Sequence, residues 1–263
     1  MRWETDPDVA WVEALSGHDA RASRKRLAEA QGERRLFAHL AREHDREGRE
    51  SYVEIDAPFE LYALVRLLRP THVVEVGVSS GVSSAYLLSA LDRNGHGTLH
   101  SVDRPARARP GGRTPVRSSW SLPAGRSSGW AVPEDLRARW DLRIGDKARV
   151  LPLLARELPR IDLFLYDVPH EEAATRRELG EVDARIPPGG VVIIDHGPGG
   201  GLCPSLRRWA RSGGARPWRR EGTGLYGARR APPDRSARGP GASLAPGADL
   251  DVGAVPPPGH APG

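Results

Sequence analysis

From His72 onward the sequence predicts a doubly wound α/β domain, and three observations carry that prediction. Short, largely apolar runs (HVVEV, TLHSV, WDLRI, IDLFLY and VVIID) alternate with helix-like stretches. Continuous apolar strands followed by helices mark a mostly parallel sheet covered on both faces. The chain has 263 residues with 38% hydrophobic side chains and 30 glycines, enough to bury a sizeable core, so wholesale disorder is excluded.

Taken in order, the first sixty residues read as helical, with Trp11, Leu15, Leu27, Leu36 and Leu40 at loosely helical spacing among many charges. Pro58 to Leu68, PFELYALVRLL, is a stronger amphipathic helix, stopped by Arg69-Pro70. The strands follow, separated by SSAYLLSAL, ARVLPLLAREL and EEAATRRELGEVDARI as helices. Between Asp103 and Trp130 runs a connection far longer than the roughly 2–6 residues usual in such units. It carries Arg104, Arg107, Arg109, Arg113, Arg117 and Arg126 with no acid between them. It reads either as a mobile insertion or as a lid recruiting an anionic substrate. From residue 231 on, 21 of 33 residues are Pro, Ala or Gly. Such a segment cannot offset its ordering entropy by burial. The expected organisation is a helical cap over residues 1–57, the α/β domain over 58–230, and a disordered tail over 231–263.

Composition removes several classes of function. The longest aliphatic run, Val191 to Ile194, falls far short of the roughly 20 residues of a membrane span. The opening MRWETDPDVA is charged and has no apolar signal region. Cys203 is the only cysteine, so no intrachain disulfide forms. A cytoplasmic protein is the expectation. The net charge is +5, yet Lys25 and Lys147 are the only lysines among 39 basic residues. That skew reflects composition rather than a phosphate-binding surface, so nucleic acid is not the expected partner.

In doubly wound sheets, ligands bind beyond the carboxyl ends of the strands. Here the first strand runs into Glu75-Val76-Gly77-Val78-Ser79-Ser80-Gly81 before a helix. Glycines there allow a sharp turn and close backbone approach, while Ser79, Ser80 and Ser83 offer hydroxyls. The second strand ends at Asp103, 22 residues after Gly81, where a carboxylate accepts both hydroxyls of a ribose. The third ends at Gly145-Asp146, where an acid can meet the amine of an adenine. The fourth ends at Asp167-Val168-Pro169-His170 and the fifth at Asp195-His196. Five successive strands ending in acids form a far more specific pattern than any one motif.

Glu75-x-Gly-x-x-x-Gly81, Asp103, Gly145-Asp146, Asp167 and the Pro-Gly-Gly before the fifth strand resemble the S-adenosylmethionine-dependent methyltransferases of Rossmann-like fold. GWAVPEDLRARWDLRIGD, IDLFLYDVPH and PPGGVVIIDHG are similar to a bacterial branch related to sugar and natural-product O-methyltransferases. The resemblance spans roughly Tyr52 to Arg230. It implies a seven-stranded sheet completed by an antiparallel last strand within Gly222 to Arg230. By the same likeness Glu75, Gly77, Ser79, Gly81 and Ser83 line the methionine and ribose end of S-adenosylmethionine. Asp103 holds the ribose, Asp146 lies by the adenine, and Asp167 faces the cofactor and the reaction. Ser79 stands where the family's loop has glycine.

Metal-dependent relatives bind Mg²⁺ through an acid after strand four and an acidic pair after strand five. The resemblance therefore implies a divalent ion, Mg, Mn or similar, at Asp167, Asp195 and His196. The imidazole biases the set away from Mg²⁺; a structural role for His196 is the alternative. His170 is the candidate base for a substrate hydroxyl, or else a helix-start residue bonded to its loop. The other histidines, His18, His39, His44, His72, His96, His100 and His260, have no such acid constellation and read as structural or solvated. The leading function is O-methylation of a small hydroxylated molecule. An NAD-dependent oxidoreductase and a cofactor-binding module without catalysis are the competitors. The expected partner is a small molecule, anionic if the arginine-rich connection recruits it. Neither nucleic acid nor membrane is expected, and self-association into a homo-oligomer stays open.

Overall fold

A computed structural model describes residues 7–47, 57–104, 122–123, 125–168, 171–197 and 200–232. The described residues up to 232 form one unit, and residues 233–263 are a separate unit. The second, with nearly all of the expected tail, lies outside the described residues.

Four helices precede the sheet: α1 (Val9–Ser16), α2 (Ala20–Gln31), α3 (Arg34–Arg46) and α4 (Pro58–Leu68). Asp8 and Asp19 cap α1 and α2 by accepting the amides of Trp11 and Ala22. Then come β1 (His72–Val76), α5 (Val82–Asn94), β2 (Thr98–Asp103), β3 (Trp140–Ile144), α6 (Lys147–Glu157) and β4 (Leu163–Tyr166). The described part ends with α7 (Glu172–Asp183), β5 (Val191–Asp195), α8 (Pro204–Ser212), β6 (Trp218–Arg219) and β7 (Leu225–Arg229).

The seven strands form one sheet in the order β3-β2-β1-β4-β5-β7-β6. β1 to β5 are parallel, and β7 pairs antiparallel with β5, Asp195 opposite Leu225. The doubly wound, mostly parallel seven-stranded sheet of the Rossmann-like methyltransferase fold is therefore present.

Strand alternation divides the core in two. Val73, Leu99, Leu163, Leu165, Val191, Ile193 and Leu225 face the first four helices and α5. Val74, Val76, Val102, Phe164, Tyr166, Val192 and Ile194 face α6, α7 and α8. Residues of α1 to α3, among them Trp11, Leu15, Leu27, Leu36 and Leu40, are buried in the first of these cores. No described helix is long and apolar enough to cross a membrane.

Two elements had little signal in the sequence. β6 is two residues long with both exposed, and α8 carries only Leu206, Trp209 and Ala210 as buried apolar residues among its arginines. At the amino-terminal edge of the sheet His72 Nδ1 meets His100 Nε2 at 3.1 Å, and His100 Nδ1 meets Asp141 at 3.1 Å. His100 thus has an acid partner that the sequence did not point to.

Candidate active site

The carboxyl ends of β1, β2, β3 and β4 gather Gly77 to Gly81, Asp103, Asp146 and Asp167 along one edge of the sheet. Gly77 leaves β1 at φ 96°, donating its amide to Val102 O at 2.9 Å. A Cβ on Gly77 would stand 1.9 Å from the Asp167 carbonyl oxygen, so this crossing of two strand ends requires glycine. Ser79 takes the left-handed conformation too, at φ 49°. That is the position where the resemblance led one to expect glycine, and serine adopts the same backbone at some cost in strain. Gly81, also left-handed, caps α5.

Glu75 is fully buried and turned into the fold. Its Oε1 accepts the Ser83 hydroxyl at 2.6 Å, and its Oε2 accepts those of Ser84 and Ser101 at 2.6 and 2.7 Å. The Trp140 indole N–H donates to Ser101 Oγ at 2.8 Å. Burial pushes the Glu75 carboxyl above its ordinary range, against the three hydroxyls that lower it. Glu75 and Ser83 therefore bolt α5 to β1 and β2 from beneath, whereas Gly77 and Ser79 are partly exposed at the edge.

Asp103 is half-buried. Its Oδ1 accepts the Val78 amide at 3.4 Å and its Oδ2 accepts the Ser128 hydroxyl. Ser128 lies at the end of the long connection and was not singled out from the sequence. Asp146 caps α6 through the Ala148 amide at 3.0 Å and pairs with Arg104 at 2.8 Å. Beside it Ile144, opposite Asp103 in the β2–β3 register, is 58% exposed. A large apolar side chain left open between two acids is a second feature that periodicity alone did not reveal.

Asp167 is partly exposed at the end of β4. Below it, Tyr166 donates to Glu178, and Lys147 Nζ lies 2.5 Å from Tyr166 Oη and 2.6 Å from Glu178 Oε2. Burial and the Glu178 carboxylate push the Tyr166 phenol up. Asp195 is buried and accepts the Gly197 amide at 2.7 Å. His196 donates its backbone amide to Gly224 O at 3.2 Å and sets its ring edge-on to Tyr226, centroids 6.0 Å apart. Among the described residues no group of three His, Cys, Asp or Glu side chains could hold a metal ion. Asp167, Asp195 and His196 do not stand together as such a group in this arrangement. Asp195 instead closes the turn after β5. His170, Pro169 and most of the arginine-rich connection lie outside the described residues.

Comparison with known proteins agrees with this architecture. Residues 74–196 match a family model described as a methyltransferase domain. An O-methyltransferase, TomG from Streptomyces achromogenes, involved in tomaymycin synthesis and solved in complex with S-adenosylmethionine, superposes with a TM-score of 0.51. The identity is 18%, covering 75% of this chain and 90% of that one. A Klebsiella pneumoniae protein with a provisional O-methyltransferase assignment gives the same score, identity and coverage. No curated protein matches. Residues 74–196 are thus similar to a methyltransferase domain, in keeping with the likeness of the strand-end motifs.

Proposed function

We propose that the protein transfers the methyl group of S-adenosylmethionine to an oxygen of a small hydroxylated molecule. The observation that carries this reading is the convergence of loop 77–81, Asp103, Asp146 and Asp167 on one sheet edge, within the stretch that matches a methyltransferase domain. The fold shared with TomG, itself solved with S-adenosylmethionine, is consistent with it.

The residues present suit that cofactor. When bound, it supplies a methyl group already activated on a sulfonium. Loop 77–81 and the first amides of α5 receive the methionine end. Asp103 accepts the two ribose hydroxyls, Asp146 takes the exocyclic amine, and Ile144 offers an apolar face to the adenine ring. Asp167 would hold the acceptor hydroxyl against the bound cofactor, and His170 would take its proton. Glu75 and Ser83 act one layer below, by fixing the start of α5. Turnover with and without EDTA tests whether a divalent ion at Asp167, Asp195 and His196 assists these steps: loss in EDTA that Asp167→Asn and Asp195→Asn reproduce would assign it, and full activity in EDTA would leave the proton to His170.

Calorimetry tests the cofactor. S-adenosylmethionine is expected to bind and NAD to fail, and Asp103→Ala should weaken binding by about 10- to 150-fold, the loss of roughly 1.5–3 kcal/mol of charge-assisted hydrogen bonding. Tighter binding of NAD would sink the proposal in favour of an oxidoreductase. Release of S-adenosylhomocysteine across a panel of hydroxylated small molecules tests the reaction. Binding without release from any of them, including phenols and sugars, would leave a cofactor-binding module.

A further inference from the structure

Asp103 already carries a hydroxyl on the carboxylate that the ribose needs. Ser128 donates to Oδ2, while the Val78 amide occupies Oδ1 at 3.4 Å. A serine hydroxyl on a carboxylate is the same chemistry as a ribose hydroxyl on it: one O–H donor, one charged acceptor. The donor is also held in place. Ser128 is 2% exposed, and its segment is bonded to the cofactor loop by Gly129 N to Ser79 O at 2.8 Å and Ala131 N to Ser80 O at 3.0 Å. Arg137 holds the carbonyls of Gly129 and Val132 at 2.9 and 3.1 Å. From the other side α3 and the residue after it contribute His39 to Ala131 O at 3.2 Å and Glu47 to Arg126 at 2.5 Å.

The seat of this segment is not fully satisfied. Among the described residues the buried indole N–H of Trp130 finds no hydrogen-bond partner, and neither does Nε2 of His44, whose ring lies 5.0 Å from that of Trp130. Buried polar groups left unpaired are costly.

We propose that Ser128 is an internal competitor of the nucleoside: its hydroxyl occupies, on Asp103, the acceptor position that a ribose hydroxyl takes over on binding. The inference rests on Asp103 being the ribose acceptor. Exchange conserves hydrogen bonds at Asp103, so the carboxylate passes only to a ligand bearing a suitably placed hydroxyl. Arg104 on Asp146 has the same form at the adenine end, but that pair is largely exposed, with side chains 73% and 42% accessible. Exposed pairs contribute little, so the competition resides in Ser128.

Titration of S-adenosylhomocysteine into wild type, Ser128→Ala, Ser128→Cys and Arg104→Ala, each with a melting curve, tests this. Ser128→Ala is expected to bind about three- to tenfold more tightly, the share of one modest net hydrogen bond. Ser128→Cys keeps nearly the same shape but donates weakly. It should follow alanine, so the result does not depend on alanine folding well. Arg104→Ala should stay within about twofold. Unchanged or weaker binding by both Ser128 variants with wild-type melting would overturn the proposal, Ser128 then being indifferent or part of the bound site. Failure of the wild type to bind S-adenosylhomocysteine would overturn the cofactor reading itself. Binding that Asp103→Ala leaves intact would instead remove Asp103 as the ribose acceptor, and the competition with it.

Discussion

Glu75, fully buried, has its two oxygens filled by three serine hydroxyls, one of which relays to the Trp140 indole. Truncation to alanine leaves a cavity and three donors in search of acceptors. Glu75→Ala should therefore destabilise by about 2–4 kcal/mol in denaturant unfolding, with Glu75→Gln costing less because it fills the same space. The pH dependence follows from burial raising the carboxyl's pKa in the folded state. Its contribution is then fully present below the ordinary glutamate value of about 4.3 and lost as pH rises through the higher folded value. The stability of wild type relative to Glu75→Gln should increase on acidification through that interval. A difference that stays flat with pH would show that Glu75 titrates as it does in the unfolded chain. The sequence placed this acid correctly at the end of a strand, next to a glycine loop. It could not show which way the side chain turns, because three serines from two elements meet it only once the sheet has formed.

At the level of elements, the apolar runs located five strands and the helices between them, since burial on both sheet faces leaves a direct trace in residue type. β6 and α8 left little trace, one being too short and exposed and the other having few apolar residues among its three arginines. Strand ends were legible for the same reason as the strands. The contacts across those ends were not: Ser128 on Asp103 joins residues from the two ends of a long connection. The turn after β1 is the tightest of these junctions. Gly77→Ala meets a backbone carbonyl at 1.9 Å in a left-handed conformation, so either two strand ends must part or the turn must refold. At Gly95, φ 74° after α5, an added Cβ would meet no described atom within 4 Å, and alanine there costs only the conformational strain. Gly77→Ala should lose at least about 3 kcal/mol and Gly95→Ala about 1 kcal/mol by chemical denaturation. Equal losses would mean that the crossing at Asp167 is slack.

Across the whole described unit, the amino-terminal helices are tied to the far edge of the sheet through a buried ion pair. Arg220, in the turn between β6 and β7, donates from Nε to Glu60 Oε1 at 2.9 Å, their side chains 3% and 1% accessible. The same Glu60 oxygen accepts the Asp8 amide at 2.9 Å, while Asp8 caps α1 and its other oxygen accepts the Glu221 amide at 3.2 Å. The Trp11 indole reaches the Trp218 carbonyl at 3.1 Å. These contacts join α1, α4 and the β6–β7 hairpin, and Trp11, Val12 and Leu15 share a core with strand residues of β4 and β5. Removing one partner of such a pair strands a buried charge, so Arg220→Met should cost about 3–5 kcal/mol. Replacing both, with Glu60→Leu added, should restore part of that loss, and not all of it, since the Asp8 amide also needs the Glu60 oxygen. Because the helices and the sheet are packed into a common core, each variant should unfold in a single transition that moves as a whole. A separate early transition of the amino-terminal helices, resolved by tryptophan fluorescence against far-ultraviolet circular dichroism, would show instead that they melt apart from the sheet.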